Sequence, residues 1–150
     1  MDIKDLRIGD IVTTNGVPIL TVKGEYYKIV GMDSKNTFED FVGSVDIQSL
    51  KGRRFFDGRA WADSLEPIPI TDDLLINVGF KEIGNHPNDG ISYELPDSGK
   101  YLYCIVFHTF SDTESYEFNI HTERDTKNIT YLHELQHFVW EHIGIELKIE

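Results

Sequence analysis

The run Tyr101-Leu102-Tyr103-Cys104-Ile105-Val106-Phe107-His108 is apolar on both sides of an extended chain. Side chains alternate along a strand, so Tyr101, Tyr103, Ile105 and Phe107 line one face and Leu102, Cys104 and Val106 the other. A strand of this kind belongs in the centre of a sheet, with a neighbour on each side. Residues 91–95 alternate and are joined to it by the turn signal Asp97-Ser98-Gly99. On the other side Tyr116, Phe118 and Ile120 alternate against Glu117, Asn119 and His121. The expected unit is an antiparallel meander whose apolar face needs a cover.

Residues 131–143 supply that cover. At about 100° per residue, Leu132, Leu135, Phe138, Val139 and Ile143 fall on one stripe. His133, Glu134, His137 and Glu141 fall on roughly the opposite face, with Asn128 or Thr130 as N-cap and Gly144 as the stop. Ile145, Leu147 and Ile149 alternate beyond it, which predicts a last strand returning to a sheet edge. Upstream, Thr71 caps a short helix with Asp72 and Asp73 in its first turn, Leu74, Leu75 and Val78 on its buried face, and Gly79 at its end. Residues 80–83 lead into a strand, and 85–90 are rich in turn formers.

The N-terminal half is punctuated differently, by glycine turns every eight to twelve residues. Strands are expected over 6–12, 17–22 and 26–30, with Asn15-Gly16 as a hairpin turn between the first two. The polar segment 33–41 reads as a loop, and Val45, Ile47 and Leu50 as a fourth strand. Trp61 and Leu65 are expected to close the core. The opening Ile-Gly-Asp-Ile-Val resembles the first strand of SH3-like barrels. The fold class is therefore α+β: an N-terminal SH3-like small β-barrel or curled sheet, a short helix, the meander, and a C-terminal helix packed on it. Pro67 and Pro69 stiffen the connector, so the expected division is 1–66 and 67–150, or one compact unit.

Charge narrows the partners. With 150 residues the chain can bury a good core, and 26 acidic against 14 basic side chains leave a net charge of −12. Such a field repels phosphate backbones and anionic bilayers. The lone Cys104 cannot form an internal disulfide. The first residues lack the apolar core of a signal peptide, and no apolar run approaches the roughly 20 residues that span a bilayer. The expected location is the cytoplasm, with no membrane partner.

Two motifs carry possible chemistry. His133-Glu134-Leu135-Gln136-His137 matches His-Glu-x-x-His, in which two histidines bind zinc and the glutamate activates water. A catalytic zinc needs a third protein ligand. The positions where a His-x-x-Gly-x-x-His extension would place Gly and His are Trp140 and Ile143, leaving His108, His121 or Asp112 to arrive from elsewhere. Because the wheel turns His133 and His137 away from the aliphatic stripe, they read as a solvated polar face, with no catalytic residue, cofactor or metal expected. Cys104 and His108 stand about 13 Å apart along a strand, too far for a nucleophile and base. The second motif is the basic concentration in 51–59, where Arg53, Arg54 and Arg59 flank Phe55 and Phe56. Those rings would stack on bases in a nucleic-acid accessory protein, or lie in the core beside solvated arginines.

Three blocks then combine: Asp-Leu-Arg-Ile-Gly-Asp-Ile-Val at 5–12, Pro-Ile-Pro-Ile-Thr-Asp-Asp-Leu-Leu-Ile-Asn-Val-Gly-Phe at 67–80, and Tyr-Leu-His-Glu-Leu-Gln-His-Phe-Val-Trp-Glu-His-Ile-Gly-Ile-Glu-Leu-Lys-Ile at 131–149. In this order they resemble a family of small uncharacterised proteins from Bacteroides-type bacteria and their prophages. Members resembling this chain often carry His-Gln-Leu-Gln-Asn at the positions of His133 to His137, which implies a helix that does not hydrolyse through zinc. The resulting expectation is a non-enzymatic accessory or interaction protein that holds a protein or peptide partner, in phage or mobile-element biology. Zinc-dependent hydrolysis and nucleic-acid binding are the alternatives.

Overall fold

The computed structural model describes residues 1–17, 21–51, 56–86, 90–96, 98, 102–108, 114–120 and 125–149. The fold is α+β, with two antiparallel five-stranded sheets and two α-helices. The chain divides into two compact units, Met1–Ile68 and Pro69–Glu150.

In the first unit the strands are β1 (Ile11–Thr14), β2 (Tyr26–Phe38), β3 (Phe41–Lys51), β4 (Asp57–Trp61) and β5 (Leu65–Glu66), in the order β4-β3-β2-β1-β5. A 3-10 turn at Ala62–Ser64 joins β4 to β5. Of the expected small barrel or curled sheet, the structure shows one five-stranded sheet, not closed, with β4 and β5 as its edges among the described residues. Its core is Val12, Tyr27, Ile29, Val45, Ile47 and Leu65, all essentially buried, capped by Ile3 and Leu6.

Several strand boundaries differ from the sequence reading, each for a local reason. The first strand begins at Ile11 rather than Leu6. Ile3–Asp5 is a 3-10 turn, the Arg7 N–H donates to Asp10 Oδ2 at 2.8 Å, and Gly9 turns the chain at φ 99°. Asn15-Gly16 is a turn, and the Val17 N–H donates to Asn15 Oδ1. Among the described residues β1 pairs with β2, Val12 opposite Tyr27, and Thr21 and Val22 lie outside any strand. Pro18, Ile19 and Leu20 of the expected second strand lie outside the described residues.

The largest difference is at 33–41, expected as a loop and found as the end of a long hairpin. Pairing runs from Tyr26↔Lys51 to Phe38↔Phe41, with shifts at three places that break the period-2 pattern sequence reading relies on. The last shift is held by side chains. Asp33 Oδ1 accepts from the Lys35 and Asn36 N–H groups, and Asn36 Nδ2 donates to Ser44 Oγ at 3.1 Å. Opposite it, Gly43 adopts φ 85°, and a Cβ there would lie 2.8 Å from Ile3 Cβ.

In the second unit α1 (Asp72–Asn77) starts from Thr71, whose Oγ1 accepts from the Leu74 N–H at 3.1 Å, as its capping position predicts. The sheet contains β6 (Lys81–His86), β7 (Gly90–Leu95), β8 (Leu102–His108), β9 (Glu114–Ile120) and β10 (Asp125–Asn128), in the order β10-β9-β8-β7-β6. The doubly apolar strand thus occupies the centre. Tyr93 and Phe118 lie opposite Cys104, and Leu95 and Ile120 opposite Leu102, forming the buried face. The other face of β8 carries half-buried Tyr103 and Ile105.

The second helix, α2 (Leu132–Ile143), buries Leu132, Leu135, Phe138 and Val139 and stops at Gly144, φ 76°. Its N-cap is Tyr131, not Asn128 or Thr130: Asn128 is the end of β10, paired with Glu117, and the Ile70 N–H donates to Thr130 O at 2.9 Å. Backbone pairing across Pro69 and Tyr131 fixes the start of the helix in place of a side-chain cap. The expected last strand is not formed. Residues 145–149 belong to no strand, although Leu147 is buried.

Two glycine substitutions separate strain from crowding. Gly16 sits at φ 97° with nothing within 4 Å of where a Cβ would stand, so Gly16→Ala should cost only backbone strain, about 1–2 kcal/mol. Gly43→Ala adds a clash with Ile3 and should cost about 2–5 kcal/mol. Urea unfolding of both variants checks the order; equal losses would contradict the close approach of Ile3.

Candidate interaction surface

The wheel places His133 on the solvated side of α2, and the structure corrects this. His133 is 7% exposed, while Trp140, only about 20° away on the wheel, is 58% exposed. Burial here varies along the helix axis as well as around it: the first turn is buried nearly all round, and the later turns are open on that side. His133 stacks on Tyr131, with ring centroids 6.1 Å apart and planes 18° apart, and meets the half-buried His137 edge-on at 5.9 Å. Glu134 is half-buried and Glu141 exposed. Among the described residues no group of three or more His, Cys, Asp or Glu side chains is placed to hold a metal ion. His121, Asp112 and the side chain of His108 lie outside the described residues.

The basic segment is divided. Arg53, Arg54 and Phe55 lie outside the described residues. Arg59 is on the outer side of β4, its Nε 3.6 Å from Asp46 Oδ1, with both side chains largely in water. Phe56 is half-buried and packs on the first core, edge-on to Tyr27 at 6.4 Å.

Cys104 is fully buried, and burial pushes its thiol well above the ordinary range. Close to it in the second unit, Tyr116 Oη lies 2.6 Å from Glu114 Oε2 and 3.0 Å from Asp72 Oδ1, both within donating distance. Burial first, then these carboxylates, raise the Tyr116 phenol. Tyr93 is raised to about 12 by burial, by the charges of Asp72 and Glu82, and by a hydrogen bond to Asp72. These contacts tie α1 to the sheet.

The feature that stands open is at the tip of the β2–β3 hairpin. Phe41 stacks on Trp61 with centroids 5.6 Å apart and planes 20° apart. Phe38, paired with Phe41, is 61% exposed, and Val42 is 57% exposed. The sequence reading puts Trp61 in the core with Leu65. Leu65 is buried there, whereas Trp61 is half-exposed because the hairpin tip gives it a ring to stack on outside. Between the phenylalanines Glu39 holds φ 52°, a conformation costly for a side chain other than glycine. Three segments meet at this place. The Met1 amino group donates to Ala62 O at 3.0 Å and Leu65 O at 3.2 Å, Ile3 packs at Gly43, and Phe41 lies on Trp61. Comparison with protein families, curated proteins and solved structures gave no match.

The raised tyrosines set a pH window. A phenol whose folded value lies above its unfolded value of about 10 favours the fold while protonated, so stability is full below pH 10 and lost as pH rises through 12. Chemical denaturation across pH 9–12 should show a decline that Tyr93→Phe makes shallower; an unchanged slope in that variant would contradict this assignment. Cys104 should stay unreactive toward a thiol reagent at pH 8 until the protein unfolds.

Proposed function

We propose that this chain is a non-enzymatic interaction protein that holds a protein or peptide partner at the Phe38–Phe41–Trp61 surface. The observation that carries this reading is the exposure of Phe38, paired with Phe41 of an aromatic stack, on a hairpin extended well past its neighbouring strands. Contiguous exposed apolar side chains with no internal role cost solubility and mark contact sites. The positive φ at Glu39 adds support, since strain is retained where it sets a surface in position.

The wider setting is part of the same proposal. The strand order, with a fifth strand returning through a 3-10 turn to pair with the first, is that expected of an SH3-like barrel. The three sequence blocks favour the phage-associated Bacteroides-type family and a cytoplasmic location. For β-rich units of this size, loop and hairpin tips carry binding residues while the sheet supplies rigidity. The half-buried Phe56 argues against the nucleic-acid alternative, because one of its two stacking rings is committed to the core.

A photo-crosslinking phenylalanine analogue at position 38 tests the surface in the protein's own host. It should trap a discrete partner, and the same analogue at exposed Ile76 on α1 should not. No adduct at position 38, or equal adducts at both, would contradict the reading.

A further inference from the structure

The charge of the chain is unevenly spread, and its distribution names the partner's chemistry. Residues 69–150 hold fifteen carboxylates and five basic side chains, but residues 1–68 are nearly balanced, with eleven and nine. Within that balanced unit, six of the eleven carboxylates stand on the three segments that meet at the aromatic surface: Asp2, Asp5, Asp33, Glu39, Asp40 and Asp63. All six are exposed, and Lys4, Lys35 and Arg59 accompany them, Arg59 on the strand of Trp61 and beside Asp46. The remainder of the unit carries five acids and six bases. Lys51, at the far end of β3, is about 30 Å along the strand from Phe41. The aromatic end of the unit is therefore negative among the described residues.

We infer that this surface takes a basic segment of another protein, with arginine or lysine side chains spaced between apolar anchors. The inference rests on the interaction reading above. An aromatic face attracts a cation through its quadrupole, and a planar guanidinium stacks on Trp or Phe while its edges donate to carboxylates. Phe38 receives an apolar anchor, Phe41 and Trp61 offer the cation faces, and Glu39 and Asp40 accept from the donors. A second copy of the chain is a poor occupant, since it would bring −12 against −12 and set each hairpin's carboxylates against the other's. Nucleic acid is disfavoured by the same sign.

The test uses the full chain carrying Trp140→Phe, which leaves Trp61 as the sole tryptophan. Trp61 emission is followed during titration with three capped peptides, Arg-Leu-Arg-Leu-Arg, Gln-Leu-Gln-Leu-Gln and Glu-Leu-Glu-Leu-Glu. The arginine peptide should give a saturable shift that weakens with salt. Its affinity should fall at least tenfold in Phe38→Ser, and at least tenfold in Glu39→Gln/Asp40→Asn. These side chains are exposed, and circular dichroism checks that both variants fold. If the glutamine peptide binds as tightly as the arginine peptide, the interaction surface stands and the basic class is overturned. If arginine-peptide binding survives both variants, it reports diffuse attraction to an acidic protein and the inference is overturned. If no peptide shifts Trp61, the inference is overturned, and crosslinking at position 38 decides the interaction reading separately.

Discussion

The first unit depends on one close approach. Gly43 turns β3 at a positive φ where Ile3 fills the space that a side chain would take. That contact brings the N-terminal segment against the hairpin, and the Met1 amino group then reaches the carbonyls of Ala62 and Leu65 beside β5. The bend at Gly43 is matched across the hairpin by the Asp33–Asn36 shift, so the tip re-aims without losing its pairing. Phe41 consequently finds Trp61 outside the core rather than joining Val45 and Ile47 within it. A packing constraint in the interior thus exposes the aromatic surface, and the acidic residues of all three segments come with it.

The second unit is organised by burial rather than by a turn. β8 lies in the centre of its sheet, with Leu102, Cys104 and Val106 at zero exposure, and α2 buries an aliphatic row of its own. Polar groups at this core are anchored in pairs: Tyr93 and Tyr116 both meet Asp72 at the first turn of α1. Buried phenols with acceptors keep their hydrogen-bonding potential and gain specificity, whereas an unpaired one would cost about 1–3 kcal/mol. The first turn of α2 carries His133 into the interior, so the His-Glu-x-x-His string is split between a buried histidine and a half-buried one.

What is legible in the sequence is what depends on local period and local caps. The doubly apolar run places β8 at the sheet centre, Thr71 and Gly79 bound α1, and Gly144 ends α2. What is not legible depends on long-range contact. β1 bypasses the Asn15-Gly16 turn to pair with β2, which no local pattern encodes. The 33–41 segment lacks alternation because a register shift between Asp33 and Thr37 interrupts it, and its aromatics, which carry the candidate surface, read as isolated rings in an acidic loop until Trp61 is placed beside them. The burial of His133 is lost for a different reason: a wheel projects the helix along its axis and so cannot distinguish its first turn from its last.

The aromatic surface depends on Trp61 being held in a preformed stack at the end of the hairpin. Fluorescence anisotropy decay of Trp61 in a Trp140→Phe background measures this directly. A decay governed by the tumbling of the unit, with little sub-nanosecond loss, is the predicted result, and Phe41→Ala should introduce the fast component. A large fast component in the parent would contradict the preformed surface, because an indole free to rotate would not be stacked on Phe41.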